Sequence, residues 1–285
     1  MPAPRSSQQT DTAANEQHQH WLDTLSTLQL PANPKVKQSA LQKLHSKTAN
    51  ANNIADIVQA DPALCLLLIT TTNRSLAASD TEAQSLAHAI SLLGFPQCEQ
   101  LINDCPSYVP DFRHQTEYQQ QLNISRHAAH QACHWATLNP YWSGLDVYWA
   151  TLFQRATIWA LWIHAGNQMQ QLQLLQAKHP QHSSAELEQK ILGTTINALA
   201  ADLSKQWQLP TLSQQSWLTD IGGEPELWQQ LSEVEAEPPQ PALEDYPEWQ
   251  KTCSHGGFLI ALANRFAEQT DWDWFAESTL QSQSI

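Results

Sequence analysis

Helix punctuation recurs along almost the whole of this chain, and little competes with it. Only 8 glycines occur in 285 residues. The strict apolar–polar alternation of a half-buried strand is nearly absent. Asp61-Pro62 supplies an N-cap followed by proline at the first helical position, where a missing N–H costs nothing. Leu86, Ala89, Ile90 and Leu93 recur at helical spacing from Ser85 on, and Gly94 closes that segment. Pro96 opens the next, with Cys98, Leu101 and Ile102 turned inward. Ser183-Ser184-Ala185-Glu186 reads as a capping box, the serine hydroxyl taking a backbone N–H while the glutamate reaches back. Such a chain buries its apolar residues helix against helix, and the predicted class is all-α.

The same signals set the expected organisation. Residues 1–20 are polar, lack periodicity and are expected to form a disordered tail. Residues 21–110 form an N-terminal helical lobe, bounded by the break from Cys105-Pro106 to Pro110-Asp111. Residues 111–285 form a larger helical lobe. Within it, helices are predicted from Tyr118 to Leu138, from Leu145 to Ala165, from Ser184 to about Leu192 and from about Thr195 to Trp207. Residues 222–248 are acidic and proline-rich, centred on Glu235-Ala236-Glu237-Pro238-Pro239-Gln240-Pro241, and read as an exposed excursion. A last helix is expected from about Glu248 to Gln269. No internal repeat is evident at a fixed period.

Charge excludes some partners. With 28 acidic and 14 basic side chains the formal net charge is −14. Nucleic-acid binding and docking on anionic membranes both draw on clustered Lys and Arg, which are missing here. The longest apolar runs, Ala63 to Ile69 and Ile158 to Ile163, fall far short of a membrane span of about 20 residues. The N-terminus shows no apolar core of a secretory signal. Five scattered cysteines, none at C-x-x-C spacing, read as reduced thiols. The expectation is a cytoplasmic protein without nucleic-acid or membrane partners.

Two side-chain groups stand out. His127, His130 and His134 share one helix face at i, i+3 and i+7. They suit a metal site, a pH-sensitive patch or an ordinary polar face. Among 12 tryptophans, Trp149, Trp159 and Trp162 fall on a spacing compatible with one helical stripe, with Tyr141, Trp142 and Tyr148 nearby. The stripe is either core or the wall of a ligand or partner pocket. No glycine-rich phosphate loop and no Ser-His-Asp order appears.

The ordered motifs carry a resemblance. Leu30-Pro31, Asp61-Pro62-Ala63-Leu64, Asn73, Ser85 to Phe95 with its Leu92-Leu93-Gly94, Gly193, Trp207-Gln208-Leu209-Pro210 and Leu259 to Ala267 occur in the order and separation of the HDOD family. That group is related to the HD-type phosphohydrolases, and the likeness covers roughly residues 25 to 270. It implies an HD-like helical domain with a smaller N-terminal helical lobe. HD enzymes hold divalent metal with an adjacent His and Asp, and those positions read Gln154 and Arg155 here. An amide is a poor metal ligand and a guanidinium repels a cation. Ile196, the neighbourhood of Thr219-Asp220-Ile221 and Asn264 replace further family His and Asp positions. The resemblance therefore implies no catalytic residue, no metal ligand and no cofactor. It implies a non-catalytic regulatory or protein-interaction module of bacterial signal transduction, whose partners are other signalling proteins. Two alternatives remain open: a metal-dependent phosphohydrolase acting on a nucleotide or cyclic dinucleotide, and a small-ligand sensor. Arg155 either receives a phosphate or carboxylate, together with Trp149, Trp159 and Trp162, or pairs with an acid such as Asp146 or Glu188.

Overall fold

The computed structural model describes residues 6–27, 29–79, 81–108, 113–137, 143–179 and 181–215 together with Ala263, with side chains for those between 14 and 214 and for Ala263. The regular structure among the described residues is helical, apart from an isolated parallel bridge between Ala32 and Ser107. The helices are α1 (Ser6–Ser26), α2 (Pro34–Leu44), α3 (Ala51–Val58), α4 (Pro62–Leu76), α5 (Leu86–Leu93), α6 (Phe95–Asp104), α7 (Gln115–Ala136), α8 (Gly144–Gln154), α9 (Ala156–His164), α10 (Gly166–Lys178), α11 (Ser184–Leu192), α12 (Ile196–Gln206) and α13 (Thr211–Gln215). Among the described residues no helix is long and apolar enough to cross a membrane.

The caps act where the sequence puts them. Asp61 accepts the Leu64 N–H at 3.0 Å, and Pro62 occupies the first turn of α4. The same carboxylate accepts the Asn33 N–H at 2.6 Å, so one side chain joins the start of α2 to the start of α4. Ser85 caps α5 through the His88 N–H, and Gly94, at φ +76°, closes it. Ser183 and Glu186 form the expected capping box of α11. Asn50 and Asn53 form a second box at α3.

Helices α2 to α6 pack on one another as one group, and α7 to α13 as a second. The junction includes specific polar contacts. Tyr118 on α7 donates its hydroxyl to the Pro31 carbonyl at 3.0 Å. Asn73 on α4 donates to the Gln208 carbonyl at 2.9 Å and accepts the Ala83 N–H at 2.8 Å. Glu82 accepts the Thr211 N–H at 2.8 Å. A single apolar cluster, from Trp21 and Leu25 through Leu64 and Ile90 to Trp159 and Leu203, runs through both groups. Ala263 lies in a smaller cluster with Ile124, Ala128 and Val147.

Two expectations need correction. The first 20 residues are not a disordered tail from end to end: α1 begins at Ser6 and packs on α9 and α12, in the second group rather than the first. Its anchors lie far along the chain. Trp21 is buried and donates its indole N–H to the Leu192 carbonyl at 2.8 Å. His18 Nδ1 lies 2.7 Å from Thr194 Oγ1, and its Nε2 lies 3.1 Å from Asp202 Oδ2. Local periodicity cannot register such partners. The second correction concerns the helix expected from Leu145 to Ala165. It is two helices, α8 and α9, broken at Arg155. The residues for Tyr141, Trp142, Thr219-Asp220-Ile221, the 222–248 excursion, Cys253 and the closing helix apart from Ala263 lie outside the described ones. Cys65, Cys98 and Cys105 are buried free thiols, and Cys133 is a half-buried one.

Candidate functional site

Arg155 stands at φ −94° and ψ 7°, between α8 and α9. Its carbonyl accepts the Ile158 N–H at 2.9 Å and the Trp159 N–H at 3.1 Å, so α9 starts a fresh turn there. The helix breaks with neither glycine nor proline, in a sparsely populated backbone region where site residues often sit. Gln154, the last residue of α8, is nearly buried. The Arg155 guanidinium donates through Nη2 to Gln121 Oε1 on α7 at 2.6 Å.

Around Arg155 the helices leave a cleft of about 530 Å³. Gln120, Gln121 and Ile124 come from α7, Ile158 and Trp162 from α9, and Met169, Leu172, Gln173 and Gln176 from α10. His182, Ser184, Glu188 and Ile196 close it from the α11 side. Glu188 accepts the Ile196 N–H at 2.8 Å. Burial pushes its carboxyl pKa up, and that hydrogen bond opposes the shift. Arg155 and Glu188 thus line the same cleft, while Asp146 sits at the opposite end of α8, its N–H donated to Ser143 Oγ at 3.3 Å.

The three tryptophans fall on two helices, Trp149 on α8 and Trp159 and Trp162 on α9. Trp149 stacks on Phe153 at 5.7 Å between ring centroids and meets Tyr148 edge-on at 4.9 Å. Trp159 is fully buried and donates its indole N–H to Ser125 Oγ at 3.1 Å. Trp162 is the one of the three that lines the cleft. Its indole nitrogen is buried and has no hydrogen-bond partner among the described residues. The His114 ring packs on it at 5.7 Å. His114 itself has φ +67°, and a Cβ at Gly166 would lie 2.2 Å from its Cδ2, so Gly166 is needed for the ring to sit there.

His127, His130 and His134 do lie on one face of α7, yet their surroundings differ. His127 is half-buried, and His134 is exposed. The His130 ring meets Tyr148 edge-on at 5.2 Å. Burial lowers the pKa of His127, and His130 adds to the shift. Burial also lowers that of His130, followed by the charge of Arg126. Among the described residues no three His, Cys, Asp or Glu side chains converge as metal ligands would. Gln154 and Arg155 offer an amide and a fixed cation, and these do not fit a divalent metal.

Sequence reading missed Gln121, on α7, and His114, at the N-cap of that helix. Neither spacing nor residue type ties them to Arg155.

Comparison with known proteins agrees with this architecture. The family model described as HDOD domain matches residues 30–218. The MmoQ response regulator of Methylococcus capsulatus str. Bath superposes with a TM-score of 0.58 at 16% identity, over 85% of this chain and 87% of that one. A virulence factor of Campylobacter jejuni subsp. jejuni superposes with a TM-score of 0.62 at 14% identity, over 90% of this chain and 84% of that one. At such identities the likeness is one of fold. No curated protein matches the chain.

Proposed function

The chain belongs to the HDOD domain family, and from that premise we propose that it is a non-catalytic regulatory or protein-interaction module of bacterial signal transduction, acting in the cytoplasm on other signalling proteins. One observation supports the reading: the Arg155 guanidinium, held by an amide oxygen at 2.6 Å, lines the cleft, and the family resemblance sets it where HD enzymes have a metal-binding carboxylate. A permanent positive charge there disfavours a divalent cation by Coulomb repulsion in a partly desolvated setting, where charges interact several-fold more strongly than in water. Hydrolysis of a phosphoester by an HD-type centre needs that cation to polarise the phosphoryl group and activate water. Without it the helical scaffold remains available as a surface, and the two helix groups give it a defined shape.

Metal analysis of the purified protein, together with phosphomonoester and phosphodiester assays in added manganese, tests the first half of the proposal. The expected result is no stoichiometric metal and no turnover above buffer. One equivalent or more of bound metal, with turnover lost on chelation, would overturn it. Cross-linking and capture from the native host tests the second half, through enrichment of signalling proteins.

A further inference from the structure

The wall of the cleft is built mostly of primary amides and aliphatic side chains, with one carboxylate. Gln120 and Gln121 come from α7, Gln173 and Gln176 from α10, and Glu188 from α11. Much of their hydrogen-bonding capacity is uncommitted. Among the described residues no hydrogen bond uses the side-chain amides of Gln120, Gln173 or Gln176, and Gln121 uses only its oxygen, toward Arg155. Glu188 gives one oxygen to the Ile196 N–H at 2.8 Å, and its other oxygen accepts from no described group. Glu188 is only half-exposed, and an acceptor withdrawn from water gains most from a donor that a guest brings. The fixed charges on the wall oppose each other. Arg155 keeps its positive charge whatever it bonds, and Glu188 is an acid, so an ion drawn by one is repelled by the other. An uncharged guest escapes that conflict. At about 530 Å³ the cleft lies within the size range of sites for small organic ligands.

A primary amide carries an N–H and a C=O on the same side. A lactam, whose ring holds its amide cis, presents the same pair in the reverse order and closes two parallel hydrogen bonds with it. We propose that this cleft binds an uncharged small molecule with two lactam groups, of the cyclic-dipeptide class. One lactam edge pairs with a glutamine amide. The N–H of the other donates to the uncommitted oxygen of Glu188. The aliphatic substituent lies against wall residues such as Ile158 and Leu172. Binding of this kind goes beyond the regulatory role proposed above, and its absence would leave that role standing.

The test uses the full chain, calorimetry and thermal shift, with three probes. These are cyclo(Gly-Leu), its N,N′-dimethyl derivative, which keeps both carbonyls but has no N–H, and linear Gly-Leu, which carries a charge at each end. At millimolar concentration cyclo(Gly-Leu) is expected to bind and to raise the melting temperature. The dimethyl derivative is expected to bind about tenfold more weakly or worse, which corresponds to about 1.4 kcal/mol, and linear Gly-Leu to bind more weakly than the ring. Glu188→Gln keeps an acceptor for the Ile196 N–H but sets an NH₂ where the guest needs an acceptor, and should weaken binding several-fold. The double variant Gln173→Ala, Gln176→Ala removes two amides from partly exposed positions of α10 and should also weaken it; it serves should Glu188→Gln not fold. No binding of cyclo(Gly-Leu) at millimolar concentration overturns the inference. So does equal binding of the dimethyl derivative or of linear Gly-Leu, or undiminished binding in the folded variants. Metal content and turnover are measured separately, so failure here is distinguishable from failure of the non-catalytic reading.

Discussion

Asp61 offers the sharpest test of how the first helix group is held together. Its side chain is 2% exposed and accepts two backbone N–H groups, from Leu64 at 3.0 Å and from Asn33 at 2.6 Å. Asp61→Ala removes an N-cap, at about 1 kcal/mol. It also strands the Asn33 N–H, for which about 1–3 kcal/mol applies when a donor is buried, and less here because that group is part-buried. One term opposes these. Burial raises the Asp61 pKa, with the Asn33 and Leu64 hydrogen bonds working against the rise, so removing the buried carboxylate relieves some desolvation. The net expected loss is about 2 kcal/mol. Asp61→Asn retains one acceptor oxygen but turns an amide NH₂ toward the other N–H, and should lose about half as much. Urea unfolding at neutral pH, followed by tryptophan fluorescence, measures both losses if the slope of the transition is unchanged. A loss below about 0.5 kcal/mol for Asp61→Ala, or an Asn variant as unstable as the Ala one, refutes the reasoning.

The other predictions concern α1, the junction and acid pH. Gly193 has φ +73°, and a Cβ there would lie 2.6 Å from Gln17 Cγ, so Gly193→Ala is expected to cost about 1–2 kcal/mol from the left-handed backbone alone. Gln17→Ala in the same background should recover the part due to the clash, read as a partial return of the melting temperature. Asn73→Ala removes both the bond to the Gln208 carbonyl and that from the Ala83 N–H, for an expected loss of about 2 kcal/mol. Hydrogen exchange at residues 207–211 should quicken in that variant, and unchanged exchange there would show that the junction does not depend on Asn73. His127 and His130 have native pKa values below the ordinary 6.5, chiefly through burial. The unfolded chain therefore takes up protons first as pH falls, and the stability these two residues contribute above about 6.5 is lost as pH drops through their native pKa values. Urea midpoints measured from pH 7.5 to 5 should fall less steeply in the His127→Gln, His130→Gln double variant than in the wild type.

Much of this fold is written locally. Asp61-Pro62, Ser85 with Gly94, and Ser183 with Glu186 each fix a helix end through groups within three residues of the terminus or at the closing glycine, and a linear reading finds them. The order of those ends also located the family, since the matched motifs are largely caps and apolar faces.

Tertiary structure decided the rest. A break at Arg155 has no glycine or proline to announce it, and arises where α8 and α9 pack on the same α7. Helix α1 looked like solvent-exposed polar chain because Trp21 and His18 find their partners at Leu192, Thr194 and Asp202, more than 170 residues away. The cleft brings Gln121, Arg155 with Trp162, and Glu188 together from three separate stretches of sequence. Caps and amphipathic faces depend on neighbours a turn away, so sequence alone specifies them. A cavity is the space that several packed helices fail to fill, and only their relative placement determines which side chains face it.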